Sequence, residues 1–214
     1  MENKTFKIGI LGCAGLGKST IANIVSKELN IPYLNSKDIT RPILKKFDYN
    51  YSENHFVESF LSKKEIEFEL VDKRLEEEHI LSGGFVTDRT TLECFCYAFL
   101  SLNTYTEEEF TMLEDICRSN MVNYTHLFRL PINSGWLEEN GVRTMNIHLQ
   151  RQIDLLVKGV IREWGLSVID IPCEVAKAGD ASKYIIESLW MIIFNVFLNS
   201  NKNLWEGIYK WANY

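Results

Sequence analysis

Eight residues near the start of the chain, Gly12 to Ser19 (GCAGLGKS), have types and spacing that can do chemistry, because they fit G-x-x-x-x-G-K-[ST]. Glycines in that pattern bring backbone N–H groups up to a polyphosphate, and the helix that follows points its positive end at the same anion. Lys18 has the reach to meet the β- and γ-phosphates, and the Ser19 hydroxyl is of the type that binds Mg²⁺. Gly12, Ala14, Gly15, Leu16 and Gly17, with Thr20 just beyond, complete the expected cradle. A magnesium-nucleotide site follows from these residues.

Two further constellations suit such a site. Asp88-Arg89 follows the short apolar run Phe85-Val86-Thr87. An acidic residue at the carboxyl end of a buried strand after a P-loop holds Mg²⁺ directly or through water. The competing reading is an Asp that caps the next helix, a task open equally to Thr90 or Thr91. Asp38 and Arg41 fall near a helix start after the second expected strand, at what is the ligand-binding edge of an open α/β sheet.

The elements that must position these residues are legible as alternating patterns. Phe6–Leu11 reads as a buried strand, and the apolar spacing of Ile21, Ile24, Val25 and Leu29 as a helix. Residues 30–34 read as a second strand, and Pro42 places a helix start between Ser36 and Thr40 if it occupies the first turn. Residues 53–82 are helical and highly charged, split at the capping-box pattern Ser62–Glu65, with the charges read as a solvated face. After the strand 85–87 come a helix over 91–102 and a second one opened by the capping box Thr106–Glu109, with Phe110, Leu113, Cys117 and Met121 on one face. His126–Leu130 is a fourth strand ended by Pro131, and residues 131–146 form a polar loop long enough to be a lid. An amphipathic helix over 146–164, a fifth strand over 167–171 and a long helix opened by Asp180 complete the pattern, the last with its apolar residues expected in the core. Leu204, Trp205, Ile208, Tyr209 and Trp211 recur at helical spacing in the tail.

The chain has 214 residues, enough for one α/β domain with a lid. The formal charge of −6 disfavours DNA as a partner, since proteins that track phosphate backbones carry basic surfaces. Five scattered cysteines without metal spacing read as free thiols, and four dispersed histidines give no zinc pattern. With no signal peptide and no apolar run long enough to cross a bilayer, a cytoplasmic protein without membrane attachment is expected. The apolar final helix and aromatic tail, 180–214, offer a surface for a homodimer, although covering the core is the alternative.

The P-loop, Asp88-Arg89 after the third strand, and Asn140-Gly141-Val142-Arg143 before a helix together resemble the P-loop kinase group. More narrowly, the chain is similar to the nicotinamide riboside kinase-like branch, the ATPase/kinases of NAD metabolism, akin to thymidylate and deoxynucleoside kinases. The resemblance runs from about Lys7 to Ile171. It implies a three-layer α/β/α P-loop NTPase fold with a five-stranded parallel sheet in order 2-3-1-4-5, a helical acceptor-side region at about 50–82 and a lid at about 131–146, all in one domain spanning 1–214. It implies ATP and Mg²⁺ as cofactors and transfer of the γ-phosphoryl group to a nucleoside or nucleoside monophosphate.

On the same resemblance, Lys18, Asp38, Asp88, Arg143 and Arg151 are the expected catalytic residues, Asp38, Arg41 and Arg89 the acceptor-binding ones, and Ser19 and Asp88 the metal ligands. Arg143 stands in the acidic-Gly-x-Arg lid element, with Asn140 replacing the acid, and Arg151 where a second lid arginine would project. Thr90 stands where an aromatic residue often follows the Asp-Arg pair, which leaves the acceptor open. Arg129 reads as structural. Kinases acting on 5-hydroxymethyluracil in phage DNA, and regulatory P-loop ATPases, are the alternatives. The guanine-reading element of a GTPase is missing after the fourth strand, where Arg129-Leu-Pro-Ile stands.

Overall fold

The computed structural model describes residues 5–47, 64–132, 147–177 and 179–200. Five strands form one sheet: β1 Lys7–Leu11, β2 Tyr33–Leu34, β3 Phe85–Thr87, β4 His126–Arg129 and β5 Ile169–Asp170. Their order is β2-β3-β1-β4-β5 with every pair parallel, the 2-3-1-4-5 arrangement expected. Ile8, Ile10, Leu11, Phe85, Val86 and Phe128 are almost wholly buried, as strands covered by helices on both faces require. Each such side chain contributes about 1.5–3 kcal/mol of burial.

The helices are α1 Lys18–Leu29, α2 Ser36–Lys46, α3 Lys64–Ile80, α4 Thr91–Ala98, α5 Glu107–Met121, α6 Ile147–Glu163, α7 Cys173–Lys177 and α8 Ala181–Ser200. They flank the sheet in two groups: α1 packs on α8, while α3, α5 and α6 gather round α4. Capping follows the sequence at α5, where the Thr106 amide donates to Glu109 Oε2 at 2.8 Å and the Glu109 amide to Thr106 Oγ1 at 3.2 Å. At the other end of α4, the chain tightens into a 3₁₀ turn, Phe99–Thr104, so the helix expected over 91–102 is shorter.

Several expectations need correction. Helix α2 begins at Ser36, within the expected range and capped by Asn35 Oδ1 accepting from the Lys37 amide at 3.1 Å, but Pro42 lies in its second turn instead of its first. The lost donor would have served the Asp38 carbonyl, on a residue exposed enough for water to replace it. Helix α3 is not simply a solvated charged rod: Glu67, Arg74 and Glu78 are buried along with Ile66, Leu70 and Val71. Helix α8 buries Ala181, Ile185 and Leu189 but leaves Trp190, Met191 and Phe194 exposed, so its apolar residues are only partly core. Helix α7 was not expected. The capping-box residue Ser62, the stretch 50–63, the lid residues 133–146 and the tail 201–214 lie outside the described residues. Among the described residues all five cysteines are free, and no helix is long and apolar enough to cross a membrane.

Candidate functional site

The loop between β1 and α1 turns back on itself through glycines. Gly12 has φ 136° and a Cβ there would lie 3.1 Å from the Leu130 carbonyl oxygen, so both the conformation and the contact require glycine. Gly17, at φ 80°, forms the N-cap of α1 and faces open space. Ala14, Gly17 and Thr20 are exposed and Leu16 is buried, which leaves the rim of the cradle accessible.

Lys18 lies folded over this loop. Its Nζ donates to the Gly12 carbonyl and to the Cys13 carbonyl, the latter at 2.8 Å. Burial lowers its pKa, while Glu93, Cys13 and Asp88 act to raise it. The Ser19 hydroxyl, at the start of α1, donates to Asp88 Oδ2, and the Ser36 amide donates to Asp88 Oδ1 at 3.0 Å. Burial pushes the Asp88 carboxyl up, but these bonds and the Lys18 ammonium outweigh it and hold the pKa below the usual carboxylate value. The structure thus brings together Lys18, Ser19 and Asp88, as the sequence motif and the β3 terminus predicted. Thr90, not Asp88, occupies the N-cap position of α4.

The turn that carries Asp88 and Arg89 is braced from α3. Buried Arg74 donates through Nη1 to Thr87 Oγ1 at 3.1 Å and to the Arg89 carbonyl at 2.5 Å, and Thr87 Oγ1 donates to the Leu34 carbonyl at 2.9 Å. The Arg89 guanidinium lies 4.7 Å from the Tyr97 ring centre, and its field reaches both Lys18 and buried Glu67. Burial raises the Glu67 carboxyl to about 7, against the pull of Arg89.

The remaining predicted residues are distributed differently. Asp38 and Arg41 are exposed on α2; Asp38 lines a groove of about 620 Å³ along the β2 edge, with Tyr33, Asn35, Lys46 and Glu76. Arg151 is exposed and lines a separate groove bounded by Phe95, Phe99 and Trp164. Its neighbour Gln150 meets the P-loop, its Nε2 donating to the Ala14 carbonyl at 2.9 Å. Arg143 lies outside the described residues. Arg129 is held by Asp170 at 2.7 Å and Asp154 at 3.2 Å, in keeping with a structural role.

Glu93, Arg74 and Gln150 escaped the sequence reading. Only Glu93 left a usable signal, since Thr90-x-x-Glu93 spells the same capping pattern read at Thr106–Glu109. Among the described residues no group of three His, Cys, Asp or Glu side chains gathers to hold a metal ion. The Ser19–Asp88 pair still fits Mg²⁺, a cation that keeps several waters and takes one or two protein oxygens beside nucleotide phosphates. The glycine cradle and the Lys18 ammonium fit the polyphosphate of a nucleotide.

Similarity to known proteins agrees with this geometry. Residues 7–178 match the AAA domain family. A dephospho-CoA kinase of Prochlorococcus marinus (strain MIT 9312) is 29% identical over 77 residues, covering 35% of this chain and 38% of that protein. Among solved structures, the NadR protein in complex with NR superposes with a TM-score of 0.59 at 17% identity, over 78% of this chain and 45% of that one. The deoxyadenosine kinase from M. mycoides with bound dATP superposes with a TM-score of 0.58 at 14% identity, over 86% of this chain and 99% of that one. The chain thus spans less than half of the curated kinase and of NadR, but almost all of the deoxyadenosine kinase. With a P-loop whose serine bonds to the Asp at the end of β3, and a parallel sheet in order 2-3-1-4-5, the chain belongs to the AAA domain family and shares its P-loop fold with NadR and the deoxyadenosine kinase.

Proposed function

We propose that this chain is an ATP-dependent phosphotransferase acting on a nucleoside or nucleoside monophosphate. The observation that carries the reading is the position of Asp88, whose two oxygens join the P-loop helix through Ser19 to the start of α2 through Ser36. One carboxylate therefore links the expected donor side of the site to its expected acceptor edge. The kinase names among the similar proteins support the same reading.

In this assignment the loop amides and Lys18 would hold the phosphates, and Ser19 and Asp88 would hold Mg²⁺. Bound Mg-ATP supplies the transferable phosphoryl group and the cation that offsets its charge. Asp88, kept ionised by its donors, suits the metal side of the site at neutral pH. Asp38 orients the acceptor hydroxyl or accepts its proton, Arg41 and Arg89 grip an acceptor phosphate where one is present, and Arg143 and Arg151 serve as lid cations. Because little covalent chemistry is asked of the protein, positioning and electrostatic stabilisation dominate.

The test is incubation with γ-labelled ATP and Mg²⁺ together with nucleosides or nucleoside monophosphates, for the wild-type chain and Lys18→Ala. Label should move to an acceptor, and Lys18→Ala should lower that rate by about 100-fold or more while the far-UV spectrum stays unchanged. Label found only as free phosphate with every acceptor, or unchanged turnover in Lys18→Ala, overturns the proposal.

A further inference from the structure

We infer that Glu93 is a positioning residue of the nucleotide site, a buried carboxylate that fixes the first glycine of the P-loop and counterbalances Lys18. The inference deepens the nucleotide-binding part of the function proposed above and rests on it. Glu93 is 1% exposed, on the first turn of α4, and both of its oxygens are engaged. Oε1 accepts from the Gly12 amide at 3.2 Å and faces the Lys18 Nζ at 4.0 Å. Oε2 accepts from the Thr90 amide at 2.7 Å and the Thr90 hydroxyl at 2.8 Å.

A capping box alone would need only the Thr90 contacts. Glu93 spends its second oxygen on a residue 81 positions earlier in the chain, at the mouth of the phosphate cradle. All of these neighbours are donors or cations, so the ionised form is the one they accept, even though burial raises the carboxyl. The result is a rigid link from Gly12 to Thr90, two residues beyond Asp88. Through that link the loop and the metal-side carboxylate hold a common register.

The charge matters as much as the bonds. Lys18 is faced by Glu93 from α4, by Asp88 and Arg89 from the β3–α4 turn, and by Cys13 within its own loop, with Asp154 of α6 reaching Cys13. Burial pushes Cys13 up to about 11, so its thiol is uncharged at neutral pH. Glu93 sets its carboxylate 4.0 Å from the Lys18 ammonium. Removing its charge while keeping its shape should take this carboxylate from beside the Lys18 ammonium and weaken the hold on the Gly12 amide.

The experiment uses the full chain and a fluorescent ATP analogue with Mg²⁺, and compares Glu93→Gln, Lys18→Ala and the double variant at one pH. The expected result is a loss of affinity of about 10- to 100-fold in Glu93→Gln, and a smaller further loss when Glu93→Gln is added to Lys18→Ala. A merely structural role would cost the same affinity with or without Lys18, so equal losses in the two backgrounds overturn the inference. Should Glu93→Gln fail to fold, Thr90→Val removes one donor to Oε2 and keeps the charge. It should weaken binding several-fold, and wild-type affinity in Thr90→Val overturns the inference. Failure of the wild-type chain itself to bind the analogue overturns the nucleotide reading together with this inference, whereas binding without transfer to any acceptor overturns only the kinase assignment.

Discussion

Asp88 divides its two oxygens between Ser19 and Ser36, and it does so almost wholly out of water. Its folded pKa is depressed, so its ionisation stabilises the fold fully above the unfolded value of about 4, and the gain disappears as pH falls through the lower folded value. Asp88→Asn presents an amide to two donors, one of which loses its acceptor; the expected cost at pH 7 is about 1–3 kcal/mol. Urea unfolding at pH 7 and below pH 4 checks this, since the gap between the two proteins should close on acidification. A gap that persists unchanged at low pH would contradict the sign. Lys18, Ser19 and Asp88 were all readable because a loop motif and a strand terminus place them without knowledge of the rest. Glu93 and Arg74 were not, because burial of a charge depends on which distant donors surround it, and Thr87, the Arg89 carbonyl and Gly12 reach them only in three dimensions.

Among the elements, β1 is the one on which the others are stacked. It lies between β3 and β4, and Gly9 in its middle is where the β3–α4 turn approaches. A Cβ on Gly9 would lie 2.7 Å from Thr90 Cγ2 and 2.8 Å from Leu127 Cδ2, closer than such atoms pack. Gly9→Ala should therefore destabilise by about 1–3 kcal/mol through overpacking. Because Thr90 holds Glu93, the same substitution should also weaken nucleotide binding, which equilibrium unfolding and an ATP titration measured in parallel would reveal. Wild-type values in both would mean that the turn can retreat freely from β1. The element pattern itself was legible wherever a strong apolar period ran its length, as in α1, α5 and α6. It failed where tertiary packing overrode a local rule: Pro42 tolerated inside α2, and the second and fifth strands cut to two residues each at the sheet edges.

At the scale of the whole molecule, α4 is the hub of one helical layer, and its Phe95 is the contact point. The Phe95 ring lies 5.0 Å from Phe99, 5.1 Å from Phe110 and 5.2 Å from Trp164, so one side chain joins α4, its 3₁₀ extension, α5 and the end of α6. Phe95→Ala should cost about 3–5 kcal/mol of stability, read from denaturant midpoints, and should loosen the seat of Glu93 two residues earlier. A loss below about 1 kcal/mol would mean the cluster collapses to fill the space. The sequence by itself determined the donor half of the site and the sheet class, because the P-loop spacing, the acidic terminus of β3 and the strand–helix alternation are local patterns set by backbone geometry. It also held, through family resemblance, the strand order that the structure shows. Only the tertiary structure decided that Gln150 meets the loop, that Asp38 faces a groove at the sheet edge, and that Glu93 reaches across to Gly12. The reason is physical: side-chain direction round a helix and the pairing of buried charges depend on how elements pack, and that packing is a property of the whole chain.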